Sequence, residues 1–247
     1  MTIEYKFENW HQFKIDFVGK LGSDIPLIKR FVFRGQADAR WAIESSFDRL
    51  CPADVLDRDK YYQQMLTFFA YQLRQYGEDL DQLSRQDRGA IAQHYGMPTR
   101  LIDWSKSPYV AAFMAFFSAL SEKRVVAGER IAIWALDLDR FSELRGKSEI
   151  AFRTVKTRQL QNDRVWRQAG LFVEARSDER KFDDYLVGLA LEGHSGLIKF
   201  TIPSLEATTA LNDLILMGLT PATIYPDRDG AAKYVLLRMA LDEHCEH

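Results

Sequence analysis

The chain has 247 residues, of which 47% are apolar and 28% are charged, and its 33 basic residues nearly balance its 35 acidic ones. The formal net charge of −2 excludes a general electrostatic attraction to nucleic acids or anionic membranes, although a local basic groove stays open. Cys51 and Cys245 lie far apart and neither belongs to a Cys-x-x-Cys pair, which excludes a disulfide framework and a zinc knuckle.

The sequence predicts a cytoplasmic protein that forms one domain over residues 1–247. The first residues lack the basic start and apolar run of a secretory leader, and no window reaches the roughly 18 apolar residues of a membrane helix. Glycine and proline are spread along the chain, so no internal domain boundary stands out. The polar end with His244, Cys245 and His247 lacks a second ligand pair, and we predict no metal site there.

The first third of the chain contains one predicted strand and two predicted helices. The strand covers residues 31–34, where side chains alternate between two faces, and Gly35 is expected to end it. Apolar residues at helical spacing predict an amphipathic helix over about residues 56–76. A further helix is predicted from Ser84, which can cap its start, to Gly96, which can close it in the left-handed conformation.

The twelve residues from Gln93 to Trp104 combine an imidazole, a guanidinium, a carboxylate and an indole with a glycine and a proline. Charged groups in a buried helix would need partners, so we predict that this stretch is a loop that forms a site. Ser107 and Pro108 then predict the start of a helix whose body, residues 109–120, is apolar on all sides and therefore buried. Its N-terminus suits a phosphate group, but Ser107 alone could also satisfy its free donors.

The remaining elements mix strands and helices without strict alternation. Strands are predicted at residues 131–138, 171–173 and 198–202, and helices at 159–169, at 204–217 before Gly218, and after the turn at 224–230. We therefore predict an α+β fold in which covering helices and one buried apolar helix pack on a central mixed or antiparallel sheet.

Three segments of this chain are recognisable as a set. They are Phe33-Arg34-Gly35-Gln36, the run from Gln93 to Trp104 followed by Ser107-Pro108, and residues 164–172. With them the chain resembles the FRG domain family, which is named for its Phe-Arg-Gly motif. Trp41, Ser45, Ser46 and Arg49 also look like that family's pattern. The resemblance implies a bacterial protein of mobile elements, toxin systems or phage defence, and it implies no particular reaction.

The chain also resembles, more distantly, the ADP-ribosyltransferases. In these enzymes an early-strand arginine holds the phosphates of NAD, and a strand with Ser or Thr precedes a helix of small and aromatic residues. Arg34 and the run from Thr99 to Phe116 are similar to that arrangement. The resemblance implies an ADP-ribosyltransferase-like sheet, NAD as cofactor, a macromolecular acceptor, and transferase or NAD glycohydrolase activity. For the late-strand glutamate of such enzymes Glu174 is the candidate, whereas Gln168 matches the FRG pattern better.

These resemblances and the clustered polar residues define the candidate site. Arg34 is assigned to phosphate binding, His94 to proton transfer or ribose contact, and Asp103 to support of the loop. The candidate catalytic residues are His94, Arg34, Glu174 and Gln168. The candidate residues for binding NAD or a related nucleotide are Arg34, Gln36, Gln93, Tyr95, Thr99, Arg100, Asp103, Trp104 and Ser107.

Structural alternatives stay open for several of these residues. Arg34 could pair with the Asp103 carboxylate, Arg100 could do the same, and Trp104 could belong to the core. Two other function classes also stay open. One is an RNA- or DNA-binding module that stacks bases on Trp41 or Trp104 and presents a basic stripe made of Lys156, Arg158, Arg164 and Arg167. The other is a protein-interaction module of a toxin and antitoxin pair.

Overall fold

A computed structural model describes residues 2–21, 30–145, 152–155, 170–175, 181–190, 195–225 and 228–243, and its centre is one mixed sheet of seven strands. The strands are β1 (Ile3–Lys6), β2 (Phe31–Gln36), β3 (Leu101–Ser105), β4 (Arg130–Asp137), β5 (Phe152–Val155), β6 (Gly170–Ala175) and β7 (Leu197–Pro203). Their order across the sheet is β1-β7-β4-β2-β3-β6-β5, in which β1 and β7 pair in parallel and the other neighbours pair antiparallel. The predicted combination of a mixed sheet with helices is confirmed.

Helices cover both faces of this sheet. The α-helices are α1 (Trp10–Leu21), α2 (Ser46–Leu50), α3 (Arg58–Leu73), α4 (Arg85–His94), α5 (Pro108–Ser121), α6 (Leu138–Arg145), α7 (Phe182–Ala190), α8 (Ala207–Leu216), α9 (Pro221–Ile224) and α10 (Arg228–Glu243). Within the ranges given above, no helix has the length and apolar character needed to span a membrane.

Helix α5 is the buried apolar helix that the sequence predicts. The Ser107 hydroxyl accepts a hydrogen bond from the Val110 amide at 3.3 Å, and Pro108 occupies the first turn without losing a useful donor. Ten residues of the helix are buried, and they pack on β2 and on α8. The apolar surface on all sides of α5 is therefore explained by neighbours on all sides.

The two faces of the sheet have separate apolar cores. On the first face, α1, α5 and α8 enclose an aromatic cluster in which Trp10 and Phe116 meet edge to face with ring centroids 5.9 Å apart. On the second face, Trp104 and Phe141 both pack edge to face against Phe182 of α7. A third, smaller layer of α2, α3 and α4 packs around Phe47 and beside the end of β3.

Most predicted elements agree with the structure in kind and in extent. Helix α3 follows its cap Asp57, and α4 starts after Ser84, whose side chain accepts from the Asp87 amide. Gly96 and Gly218 have φ values of +83° and end the segments where glycine was expected to do so. The strands β4, β6 and β7 and the last helix are confirmed as well. The predicted helix at 159–169 lies outside the described residues.

Three predictions about local structure are wrong or incomplete. Gly35 does not end β2, which continues through Gln36 because both residues pair with β4. The stretch from Gln93 to Trp104 is not one loop, because residues 101–105 form β3 and pair with β6 along their whole length. The N-terminal strand β1 and helix α1 were not predicted at all, although they supply Trp10 to the core.

Gly35 lets helix α5 approach the backbone of β2 unusually closely. A Cβ atom at this position would lie 1.9 Å from the carbonyl oxygen of Ala111 and 2.9 Å from the amide nitrogen of Ala115. Both contacts are backbone atoms of α5, so a side chain could fit only if the helix moved away from the sheet. The requirement for glycine here comes from this contact with the helix.

We expect Gly35→Ala to lower the free energy of unfolding by about 3 kcal/mol, because overpacking displaces a buried helix. Urea unfolding followed by circular dichroism measures this change. The matched control is Gly188→Ala in α7, where a Cβ atom meets nothing within 4 Å. There alanine should stabilise the helix by about 0.5–1 kcal/mol. Equal stabilities of the two variants would contradict the close contact.

Candidate functional site

Strands β2 and β3 pair at only one position, where Phe33 lies opposite Ser105. After Phe33, strand β2 does not pair with β3 again. On its opposite edge, β2 stays paired with β4 as far as Gln36. Arg34 bridges the gap, and its Nη1 donates a hydrogen bond of 2.9 Å to the main-chain oxygen of Asp103. A side chain thus takes over a contact that the sheet ladder would otherwise make.

A cavity of about 420 Å³ lies beside this gap. It is bordered by the second half of β2, by the segment that follows it, and by the last turns of α5. The residues on its wall are Arg34, Gly35, Gln36, Ala37, Trp41, Ala42, Glu44, Arg49, Ser118 and Glu122. Its volume lies within the roughly 300–1,000 Å³ typical of small-molecule sites.

Arg34 has few partners for a guanidinium that is half-buried. Its Nε is buried and has no hydrogen-bond partner in the described part of the chain. Burial lowers the pKa of Arg34, while the charge of Asp103 raises it and the charge of Arg49 lowers it further. Arg34 keeps its positive charge, because the guanidinium of arginine is not deprotonated in proteins. Two neighbouring positive groups therefore share this wall of the cavity.

Gln93, Thr99 and Asp103 form a network that holds the start of β3 against the end of α4. The Nε2 of Gln93 donates to both carboxylate oxygens of Asp103, at 2.7 and 2.8 Å, and its Oε1 accepts from the Thr99 hydroxyl. Thr99 is also tied to α2, because its amide donates to the Ser46 hydroxyl at 3.0 Å. This network fixes the backbone whose carbonyl oxygen holds Arg34.

Arg100 lies apart from the cavity, in a buried ionic cluster. Its side chain is fully buried, with Nη1 3.2 Å from an oxygen of Asp59 and Nη2 3.8 Å from an oxygen of Asp48. Arg58 also pairs with Asp48, at 2.5 Å, and the Arg100 guanidinium lies 5.2 Å from the centre of the Phe47 ring. In this structure Arg100 does not present donors to a ligand, and its partner is not Asp103.

Glu174 belongs to the same cluster as Arg100. Its side chain is 1% exposed, with Oε1 3.4 Å from Nε of Arg85, and Oε2 accepts from the Gln86 amide at 3.2 Å. Arg85 makes a second, bidentate contact with Asp59. Glu174 is therefore placed as a partner of α4 and away from the cavity wall. Gln168, the other late-strand candidate, lies outside the described residues.

Four further candidate residues do not contact the cavity. His94 ends α4 and is exposed, and its ring contacts Tyr95 edge to face at 5.3 Å. Tyr95 is exposed as well and packs toward Phe69. Trp104 is only 2% exposed and lies in the core, although its Nε1 has no partner among the described residues. Ser107 caps α5, so one of the free donors of that helix is satisfied.

Gln36 does lie on the cavity wall, but its own amide is already engaged. Its Nε2 donates to the Ala42 carbonyl oxygen at 2.9 Å, and its Oε1 accepts from the indole of Trp134 at 2.5 Å. Gln36 thereby ties the segment after β2 to the sheet. Its contribution to a ligand site would be the shape of the wall.

The structure adds wall residues that were not proposed as ligand contacts. Arg49 follows the Phe-Arg-Gly motif and was noted only as part of a family pattern, whereas Trp41 was considered only for stacking bases in the nucleic-acid alternative. Glu44 and Glu122 carry carboxylates, of which Glu122 pairs with Arg124 at 3.0 Å. Among these wall residues, Ser118 was the easiest to find from the sequence, because it is the one polar residue in the apolar body of α5.

The basic stripe considered for nucleic-acid binding and the polar end with His244, Cys245 and His247 both lie outside the described residues.

Comparison with known protein families shows that residues 29–124 fit the family model of the FRG domain. This range contains all ten residues on the cavity wall. No curated protein and no solved structure matches the chain.

The buried cluster predicts a structural role for Arg100. We expect Arg100→Met to lower the free energy of unfolding by about 1–3 kcal/mol, because it removes a charge-assisted hydrogen bond to Asp59 and a positive charge beside the buried Asp48. The control is Arg74→Met, in which an exposed pair with Asp81 is lost and solvent already screens the charges. Thermal unfolding of both variants measures the difference. If Arg100→Met melts at the wild-type temperature, the structural role is excluded.

Proposed function

From the premise that this chain contains an FRG domain, we propose that the cavity beside Arg34 is the ligand site of that domain and that it binds NAD or a related nucleotide. The observation that carries the proposal is a pair of neighbouring guanidinium groups, Arg34 and Arg49, on the wall of a cavity of about 420 Å³. The domain match supports it, because the whole wall lies inside the matched range.

A phosphate ligand suits the state of Arg34 in particular. A guanidinium offers five donors in a planar fork, and phosphate oxygens can accept two of them side by side. Arg34 uses one donor, Nη1, on the Asp103 carbonyl. A phosphate in the cavity would accept from further donors of this guanidinium and would offset the mutual repulsion of Arg34 and Arg49.

The rest of the wall suits the sugar and the base of a nucleotide. Glu44 offers carboxylate oxygens that accept hydrogen bonds from ribose hydroxyls, and Trp41 offers an aromatic ring. The cavity has mixed polar and apolar lining, as is typical of sites that bind small molecules with both kinds of surface. A site for inorganic phosphate alone would need neither the ring nor this volume.

A more specific part of the proposal is that the domain cleaves the bound nucleotide, as in ADP-ribosyl transfer or NAD glycohydrolysis. Glu174 is held by Arg85 and Gln86, and His94 is not on the wall, so neither is placed to act on a ligand in the cavity. Of the two glutamates on the wall, Glu122 pairs with Arg124 and Glu44 does not. A role as effector in a toxin or phage-defence system follows from the family resemblance alone.

Titration calorimetry of the purified chain with NAD, ADP-ribose and inorganic pyrophosphate tests the proposal. We expect Arg34→Gln to weaken binding by about 10- to 100-fold, since a charge-assisted hydrogen bond contributes about 1.5–3 kcal/mol. Arg34→Lys keeps the charge but loses the planar fork, so its affinity should lie between those of wild type and Arg34→Gln. Arg238→Gln on α10 removes a guanidinium that is not on the cavity wall and should bind as wild type does.

Two further measurements make the result decisive. Arg49 is exposed, so Arg49→Gln should fold normally and still weaken binding, even where Arg34→Gln proves unstable. Release of nicotinamide from NAD, followed in the same samples, reports turnover separately from binding. Absence of binding to all three compounds at millimolar concentration would refute the proposal. Salt-dependent binding of a single-stranded oligonucleotide in their place would favour the nucleic-acid module.

A further inference from the structure

We propose that Trp41 is the platform on which the base of the ligand stacks, so that the cavity selects nucleotides over phosphate compounds that lack a base. This inference rests on the proposed function and adds to it the residue that determines specificity. Trp41 lies on the cavity wall and is 37% exposed, whereas Trp10, Trp104 and Trp134 are buried in the core.

One face of the Trp41 ring is already covered. The guanidinium carbon of Arg124 lies 4.7 Å from the centre of the ring, within the range of a cation–π contact. Arg124 is not among the residues on the cavity wall. We therefore assign the opposite face of the ring to a planar ligand group. A base stacked there would form a layer of base, indole and guanidinium.

The segment that carries Trp41 is held in place by a buried carboxylate. Asp38 accepts from Arg40 through both carboxylate oxygens, and a third contact of 3.1 Å ties it to Arg124. The Trp41 amide donates to the main-chain oxygen of Asp38 at 3.2 Å. Hydrogen bonding from Arg40 lowers the pKa of Asp38, so the carboxylate is charged throughout the neutral range. The ring and the cation behind it are thus positioned before a ligand arrives.

The residue types on the wall fit a nucleotide. Trp41, Arg34 and Arg49 all line one cavity of about 420 Å³. A nucleotide has its phosphates and its base at opposite ends of a ribose. Both ends can be engaged within one cavity only if it offers cationic donors and an aromatic face, which this wall does.

The test compares ligands that share phosphates but differ in the base. Calorimetry with ADP, inorganic pyrophosphate and ribose 5-phosphate is carried out on wild type, Trp41→Ala and Trp41→Phe. Loss of the ring should weaken ADP binding by about 5- to 100-fold, in line with the stacking of a base on an aromatic side chain. Binding of pyrophosphate and ribose 5-phosphate should stay unchanged. Phenylalanine should restore most of the affinity for ADP.

Fluorescence and a positioning variant give independent readouts. ADP should quench tryptophan emission in wild type, and this quench should be lost in Trp41→Phe. Arg124→Gln removes the cation behind the ring and should weaken ADP binding while leaving pyrophosphate binding intact. Tyr76→Ala, which removes an 81% exposed aromatic ring outside the cavity, is the matched control and should change nothing.

The outcomes separate this inference from the function on which it rests. If Trp41→Ala weakens ADP and pyrophosphate equally, or weakens neither, the ring is not a stacking platform, although the cavity still binds phosphates. If wild type binds none of the three compounds, the proposed function fails and the inference fails with it.

Discussion

The candidate site depends on a single hydrogen bond, from the Arg34 guanidinium to the main-chain oxygen of Asp103. Strands β2 and β3 are neighbours in the sheet but pair at only one position, so the backbone beyond it needs another partner. Arg34 supplies that partner from a side chain, which lets the strands part without leaving this carbonyl unsatisfied. The same guanidinium then lies on the wall of the cavity beside the gap.

The three residues of the Phe-Arg-Gly motif serve three different purposes at one place. Phe33 is fully buried in the core on the first face of the sheet. Arg34 bridges the gap to β3, and Gly35 allows the backbone of α5 to touch the strand. Because consecutive strand residues alternate between faces, one short motif can reach the core, the gap and the helix at once. The motif thus combines the packing of the buried helix with the placement of the candidate site.

The sequence predicts the elements better than it predicts the partners of charged residues. Helix α5, its Ser107 cap and the closing Gly96 follow from local rules, and each is found as expected. The proximity of Arg34 to the segment around Asp103 was also expected, but the contact is to the carbonyl oxygen and not to the carboxylate. Arg100 and Glu174 were proposed for the site and lie in the buried cluster instead. Their partners Asp48, Asp59 and Arg85 come from helices far away in the sequence, and no local pattern indicates such pairing.

The two groups of arginines differ in the acceptors that the fold gives them. Arg58 and Arg100 are almost fully buried and lie beside the carboxylates of Asp48 and Asp59, so their charge is largely offset within the protein. Arg34 and Arg49 lie close enough for one to lower the pKa of the other, and Arg34 donates to a neutral carbonyl. A chain whose total charge is nearly balanced can therefore still place two neighbouring guanidinium groups on one cavity wall. The residue type is the same in both places, and the identity of the acceptor makes the difference.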